Sequence, residues 1–350
     1  MKVSVVIPTY NRGYRIADTI RSVLEQTHAP LEVIVVDDGS TDDTPAVCSV
    51  MPPSVRYVRQ ANSGVATARN HGASLAQGDA IAFIDSDDFW LPEKLAVQVA
   101  VLESDPAVGW VTTAYDVMDA DGERIPWRRG FAGALPVFRA VGMTPEEFFG
   151  QYFERRTVQA AGAEHTWFAG DAWYPLFLGN FIFPSAVMIR RDLFRESGGF
   201  DRAFRVAQDT EYFHRISARS PIGVVMTPLM LYRAASGTSL SFRSNSIELV
   251  SNALTSIDRA YRLRPATSEA ESHYRRGRRV LLRRLAYANL TQMNGPEARR
   301  VLREGWQWGL PRDAWTLGVY AASLLPRPAL RLLHGAKRAF RRPPGQPTRS

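Results

Sequence analysis

Cysteine is nearly absent from this chain of 350 residues: Cys48 is the sole one. That excludes an intramolecular disulfide and makes a reducing compartment the natural assumption. Long apolar runs are missing too. Val3-Ser4-Val5-Val6-Ile7, directly behind Met1 and Lys2, is too short for a signal-peptide core and has the wrong flanks. Trp315 to Leu325 falls short of the roughly 20 residues that cross a bilayer. The expectation is a cytoplasmic protein. A nucleic-acid reader motif is also lacking, so nucleic acid is not expected as a partner despite a pI near 9.8. Little reads as disordered before a loose tail at Pro343 to Ser350.

What is present is a chain with 45% hydrophobic and 22% charged residues, long enough to bury a full core. Its net charge of +8 is unevenly spread. From Arg243 onward 21 basic residues face 7 acidic ones, while the preceding part is net −6. Arginine supplies nearly all of the C-terminal excess. Such an asymmetry points to an acidic partner for the tail.

Apolar runs and helical spacing alternate over residues 1–113. Val3 to Ile7, Leu31 to Val36, Val55 to Val58, Ile81 to Ile84 and Val108 to Thr112 read as strands. Ile16, Ile20, Val23 and Leu24 recur at helical spacing, Thr41 is placed to cap a second helix, and Asn62-Ser63-Gly64 opens a third that runs to Ala76. The alternation predicts an α/β layer with a largely parallel sheet. Ligands of such sheets bind outside the carboxyl ends of the strands, and the polar clusters sit there: Thr9 to Arg12, Asp37 and Asp38, and Asp85 to Asp88.

The last cluster, Asp85-Ser86-Asp87-Asp88, ends an apolar run in three carboxylates. Extended backbone puts Asp85 and Asp87 on one side and turns Asp88 away. Carboxylates crowded on one edge repel, and a divalent cation completed by substrate phosphates relieves that repulsion. The same residues would also serve as a turn and as the cap of a helix starting near Pro92.

Residues 114–175 carry Gly, Pro and many aromatics in no clear order, which fits a lid, an acceptor pocket or plain packing. Phe181 to Ile189, Ile222 to Met226 and Leu229 to Tyr232 read as strands, and Gln208 to Ile216 as a helix after the Gly198-Gly199-Phe200-Asp201 turn. Helical stretches follow near Ile247 to Tyr261, Glu269 to Leu290, Glu297 to Trp308 and Ala314 to Leu325. Beyond the last, Arg327, Arg331, Lys337, Arg338, Arg341 and Arg342 interleave with Leu330, Leu332, Leu333 and Phe340. That pattern suits an interfacial helix on anionic lipid as well as a solvated basic helix packed on the domain.

Taken together, Val5-Val6-Ile7-Pro8-Thr9-Tyr10-Asn11-Arg12, Val35-Val36-Asp37-Asp38-Gly39-Ser40, Asn62-Ser63-Gly64 with Ala68-Arg69-Asn70, and Asp85-Ser86-Asp87-Asp88 resemble the inverting glycosyltransferases of family 2. The resemblance implies a GT-A fold over residues 1–242: a nucleotide-sugar-binding half at 1–113, an acceptor and catalytic-base half at 114–242, and a basic helical region at 243–350 outside it. It further implies transfer of a sugar from a nucleoside-diphosphate sugar to a glycan or lipid-linked acceptor, in cell-surface polysaccharide or glycolipid synthesis, with Mg²⁺ or Mn²⁺ as cofactor. Pro8, Tyr10 and Asp38 would frame base and ribose, with Asn11 in the same donor-binding loop. Asp37 would hold the turn. Arg69 would lie near the diphosphate, and Asp85, Asp87 and Asp88 would share ribose and metal contacts.

The family's general base lies on the helix after a Gly-Gly-Phe-Asp turn, as the Asp of a Glu-Asp pair, which places Asp209 in that role here. Two departures stand out. Gln208 replaces the Glu, so Asp209 would have a lower pKa than in relatives with the full pair. Ala235 stands where relatives often carry His, leaving Arg233 or Ser239 to compensate. These departures support a second reading, a catalytically silent nucleotide-sugar binder.

Overall fold

Buried apolar runs set the frame. In the computed structural model, which describes residues 1–119, 121–131, 137–138, 142–234 and 246–331, β1 (Val3–Thr9) is buried along its whole length. It pairs in parallel with β2 (Glu32–Asp37) on one side and β4 (Ala80–Phe83) on the other, and β2 pairs in parallel with β3 (Val55–Arg59). Strands buried on both faces have no need of a polar side, which is why they read as continuous Val and Ile. Helix α1 (Gly13–Leu24) buries Ile16, Ile20 and Val23 completely, one stripe at helical spacing. α2 (Thr44–Ser49) starts two residues later than a Thr41 cap would place it, and Thr41 does not cap it: its N–H donates to Asn11 Oδ1 at 2.8 Å. α3 (Val65–Leu75) lies directly on β1 through Gly72, where a Cβ would come within 2.4 Å of a Val6 methyl.

Beyond β4 the sheet becomes mixed. The order is β3-β2-β1-β4-β9-β6-β10-β8-β7, with β5 (Phe89–Trp90) pairing β10 off this path. Strand β9 (Met188–Arg190) runs antiparallel between β4 and β6 (Trp110–Met118), while β10 (Ile222–Arg233) is parallel to β6. Expected as two short strands, β10 is one bulged strand whose register slips on either side of Pro228. Pro228 has no N–H to give the ladder, so the irregularity falls there.

The region without a readable pattern holds a hairpin, β7 (Phe153–Ala160) with β8 (Ala163–Gly170). Its two-residue loop has Ala161 and Gly162 both at positive φ, 50° and 79°, the primed turn that matches strand twist. Helix α4 (Lys94–Ser104) precedes this region, and within it α5 (Pro145–Tyr152) is started by a Thr144/Glu147 capping box. The aromatics are packing: Phe149 lies 5.2 Å from Phe131 and 5.3 Å from Phe181, ring centre to ring centre.

Helix α6 (Arg191–Ser197) leads into the Gly198-Gly199 turn and α7 (Gln208–Ser217). Helices α8 (Ile247–Tyr261), α9 (Ser268–Thr291), α10 (Gly295–Gln307) and α11 (Ala314–Ala322) follow among the described residues. They have a core of their own around Leu282, Leu285, Val301 and Leu302. They are also bound to the rest: Trp173 Nε1 donates to Ala260 O at 2.9 Å, and a Cβ on Gly277 would strike the Phe177 carbonyl. No described helix is long and apolar enough to cross a membrane. Ala235, Ser239 and residues 332–350, with Leu332, Leu333, Lys337, Arg338, Phe340, Arg341 and Arg342, lie outside the described residues.

Candidate active site

The carboxyl ends of β1, β2 and β4 do carry the polar clusters. After β2, Asp37 accepts from the Ser40 N–H at 2.8 Å and from the Tyr57 hydroxyl at 2.5 Å, so it holds the turn. Burial and the Asp37 carboxylate together push the Tyr57 hydroxyl's pKa well above its ordinary value. Asp38 is buried and accepts three hydrogen bonds of 2.8 Å, from Gln60 Nε2, Ser63 N–H and Gly64 N–H. It therefore anchors the entry to α3. Pro8 is buried near the end of β1, and Tyr10, just beyond it and 45% exposed, stands at the rim. Asn11 sits at φ 52° and is pinned by its N–H to Ser40 Oγ at 2.9 Å. Arg12, quoted in the first motif without a role, places Nε 3.5 Å from Asp87 Oδ2.

Arg69 projects from α3 and is 2% exposed. Its Nη2 donates to Asp85 Oδ1 at 2.5 Å and its guanidinium lies 5.3 Å over the Phe200 ring. Nε and Nη1 are buried without a hydrogen-bond partner. Five donors in a fixed fork with one acceptor among them is an unfinished arrangement for a buried cation.

The three carboxylates after β4 are unequal. Asp88 is buried, accepting from Ser185 Oγ at 2.5 Å and from the Arg233 N–H at 3.1 Å, so both oxygens are engaged. Burial first, then repulsion from Asp87 and Asp85, puts its pKa well above the carboxylate range. Asp87 is raised as well, by burial and by Asp85, with Arg12 opposing. The Arg233 side chain reaches the same loop through Nε to Asp87 O at 3.2 Å. Among the described residues no three His, Cys, Asp or Glu side chains gather as a ready metal cage. Asp85 and Asp87 remain a half-exposed pair that repel each other, and a pair of carboxylates completed by phosphate oxygens is what Mg²⁺ or Mn²⁺ accepts. The donor chemistry fits a divalent cation at that pair.

Asp209 lies in the first turn of α7 and does not cap it; the cap position is Ala207, at φ 61°. Its Oδ1 accepts from the Thr210 N–H at 2.8 Å. Burial raises its pKa, Arg69 opposes that rise and Asp85 adds to it. The electrostatic environment thus joins residues that lie far apart in the chain: 69, 85 and 209. Gln208 is buried beside it with Oε1 unpartnered. Glu211 faces elsewhere, paired with Arg215 at 3.0 and 2.9 Å, and Arg215 also donates to the carbonyls of Ser197 and Gly199. Asn70 completes the frame by gripping Phe200, donating to its carbonyl and accepting from its N–H, both at 2.8 Å. Gly199 is obligatory there: φ is 68°, and a Cβ would fall 2.5 Å from Asn70 Oδ1. Arg12, Asn70 and Ser185 escaped the sequence reading, although the first two stand inside quoted motifs.

The family model described as glycosyl transferase family 2 matches residues 4–170. Over 239 residues the chain is 30% identical to an uncharacterized protein of Mycobacterium tuberculosis, covering 67% of this chain and 68% of that one. The chain belongs to glycosyl transferase family 2. An uncharacterized glycosyltransferase of Nostoc is 39% identical over 129 residues, 36% of this chain and 40% of its own length, so the match spans less than half of that relative. Two solved structures share the GT-A fold. TarS of S. aureus in complex with UDP-GlcNAc has a TM-score of 0.61 at 18% identity, covering 97% of this chain and 92% of that one. The mannosyltransferase PcManGT of Pyrobaculum calidifontis, with GDP-Man and Mn²⁺, has a TM-score of 0.55 at 20% identity, covering 97% and 87%.

Proposed function

We propose that this family 2 protein transfers a sugar from a nucleoside-diphosphate donor to an acceptor hydroxyl, with inversion at the anomeric carbon. The observation that carries this reading is the convergence of Arg69, Asp85 and Asp209 at one sheet edge. Asp209 takes the acceptor proton as the new C–O bond forms, and its raised pKa makes it a better proton acceptor than an ordinary Asp. Arg69, with two donors unclaimed, faces the departing diphosphate. Tyr10 offers an exposed ring for the base to stack on. A divalent cation at Asp85 and Asp87 would neutralise diphosphate charge, and neighbours bound to UDP-GlcNAc and to GDP-Man with Mn²⁺ support that donor and cofactor class. Nucleotide sugars are to be screened with Mn²⁺ for thermal stabilisation, since a ligand of the native state raises the Tm. The stabilising donor is then assayed for transfer; stabilisation with no turnover on any acceptor would favour the silent binder.

Cation dependence has its own test. Asp87→Asn removes one of two mutually repelling carboxylates, so donor binding should lose most of its response to Mn²⁺ while the Tm of the apo protein stays equal or rises. Equal affinity in EDTA and in Mn²⁺ for the wild type would refute the idea.

The acceptor side is proposed to be served at a membrane surface. Trp315, Leu317, Leu324 and Leu325 are exposed by 37%, 47%, 63% and 38%, next to Arg327 and Arg331. Each basic residue near an anionic surface contributes about 1 kcal/mol, so a handful gives attachment that salt strips. Because α11 packs inward through Val319, the informative truncation removes 324–350 and spares the helix. It should release the protein from acidic liposomes; equal retention of both forms would count against the surface.

A further inference from the structure

A cavity of about 750 Å³ opens behind the Gly198-Gly199 turn, and neither Asp209 nor Arg69 lines it. Four arginines do, Arg202, Arg215, Arg259 and Arg262, against two carboxylates, Asp201 and Glu211. The acidic groups are spoken for. Glu211 is held bidentate by Arg215, and Asp201 accepts from Arg259 at 2.9 Å. That neutralises two of the four cations. The Arg202 and Arg262 side chains have no acceptor among the described residues, and the lining includes the apolar Ala260 and Leu263. Two exposed guanidinium groups without a counter-ion thus border one concave space. An arginine fork suits the oxygens of a tetrahedral phosphoryl group, which it binds through paired charge-assisted hydrogen bonds.

We infer that this cavity is a second anion site, separate from the reaction centre, that takes a phosphoryl group through Arg202 and Arg262. The group is either free phosphate or a phosphate ester carried by a larger molecule such as the acceptor. The site is close enough to be felt at the centre. Asn70, which lines the cavity, holds Phe200, and the ring of Phe200 carries the Arg69 guanidinium.

The test measures inorganic phosphate binding by calorimetry, at ionic strength matched with chloride, with the donor site saturated by a nucleoside diphosphate and Mn²⁺. Wild type should bind phosphate under these conditions, and Arg202→Gln/Arg262→Gln should weaken it about tenfold or more. Both arginines are at the surface, so the double variant should keep the wild-type Tm in phosphate-free buffer and the wild-type donor affinity. Repeating the titration with glycerol phosphate separates the sources: an ester bound as tightly as phosphate identifies a carried group, and exclusion of the ester identifies the free ion. Unchanged phosphate affinity in the double variant, or loss of all phosphate binding once the nucleoside diphosphate is present, overturns the assignment.

Discussion

Asp209→Asn is expected to lower sugar transfer by about 10²–10⁴-fold, the usual contribution of a positioned general base, while donor affinity stays close to wild type. Asn keeps the size of the side chain and its acceptance of the Thr210 N–H, so what is lost is the proton acceptor. The pH profile adds a second handle. Burial raises the Asp209 pKa above its ordinary 3.8, so the acid limb of kcat/KM should lie above that of a solvated Asp, with activity lost as pH falls through it. For stability the sign is opposite to that of an ion-paired carboxylate. Between the unfolded and the raised folded pKa the native state holds more protons, so stability falls as pH rises through that window. Asp209→Asn should therefore melt higher than wild type at neutral pH while turning over more slowly, the trade expected at a site where strain serves chemistry. Glu211→Gln should leave turnover far less affected, because its carboxylate braces Arg215. An Asp209→Asn protein that retains most of its transfer rate would reject the assignment.

Arg69→Met is expected to reduce kcat/KM by about 10²–10³-fold, the loss typical of one preorganised donor to developing negative charge. Met fills much of the same volume, so the Phe200 ring remains covered and the loss is one of charge and hydrogen bonding. A purely structural Arg69 would show its removal in the Tm and leave the kinetics of the remaining folded protein unchanged. A role at the leaving group predicts the reverse emphasis: the double variant with Asp85→Asn should lose less than the sum of the single losses, since the two side chains share one hydrogen bond. Wild-type kcat/KM in folded Arg69→Met would place the leaving-group charge elsewhere.

How much of this was legible beforehand follows from the range of the forces involved. Strands β1, β2 and β4 and their polar ends could be read because burial on both faces enforces an unbroken apolar run and a sharp end. The helix Ile247–Tyr261 was readable to the residue, since periodicity over 15 positions is a strong local signal. What could not be read is non-local. The run Phe181 to Ile189 read as one strand, but only Met188–Arg190 pairs, as β9, with partners more than 70 residues away, while Pro184–Ala186 is a 3-10 turn. Extended backbone already turned Asp88 away from Asp85 and Asp87, but the partners that draw it inward, Ser185 and Arg233, lie about a hundred residues and more along the chain. The hairpin at Ala161-Gly162 and the capping box at Thr144 were local signals, masked by the surrounding aromatic-rich composition.

The antiparallel strand wedged between β4 and β6 bears on how the protein is made. During synthesis the segment through β4 emerges with one side of that strand bare, and the chain must grow by about a hundred residues before Met188–Arg190 can cover it. At ribosomal rates of roughly 5–20 residues per second that interval lasts on the order of 5–20 seconds. An uncovered Ala80-Ile81-Ala82-Phe83 edge is an invitation to another nascent chain. The strands that come first in the chain thus depend on β9, more than a hundred residues later, for their own safe completion.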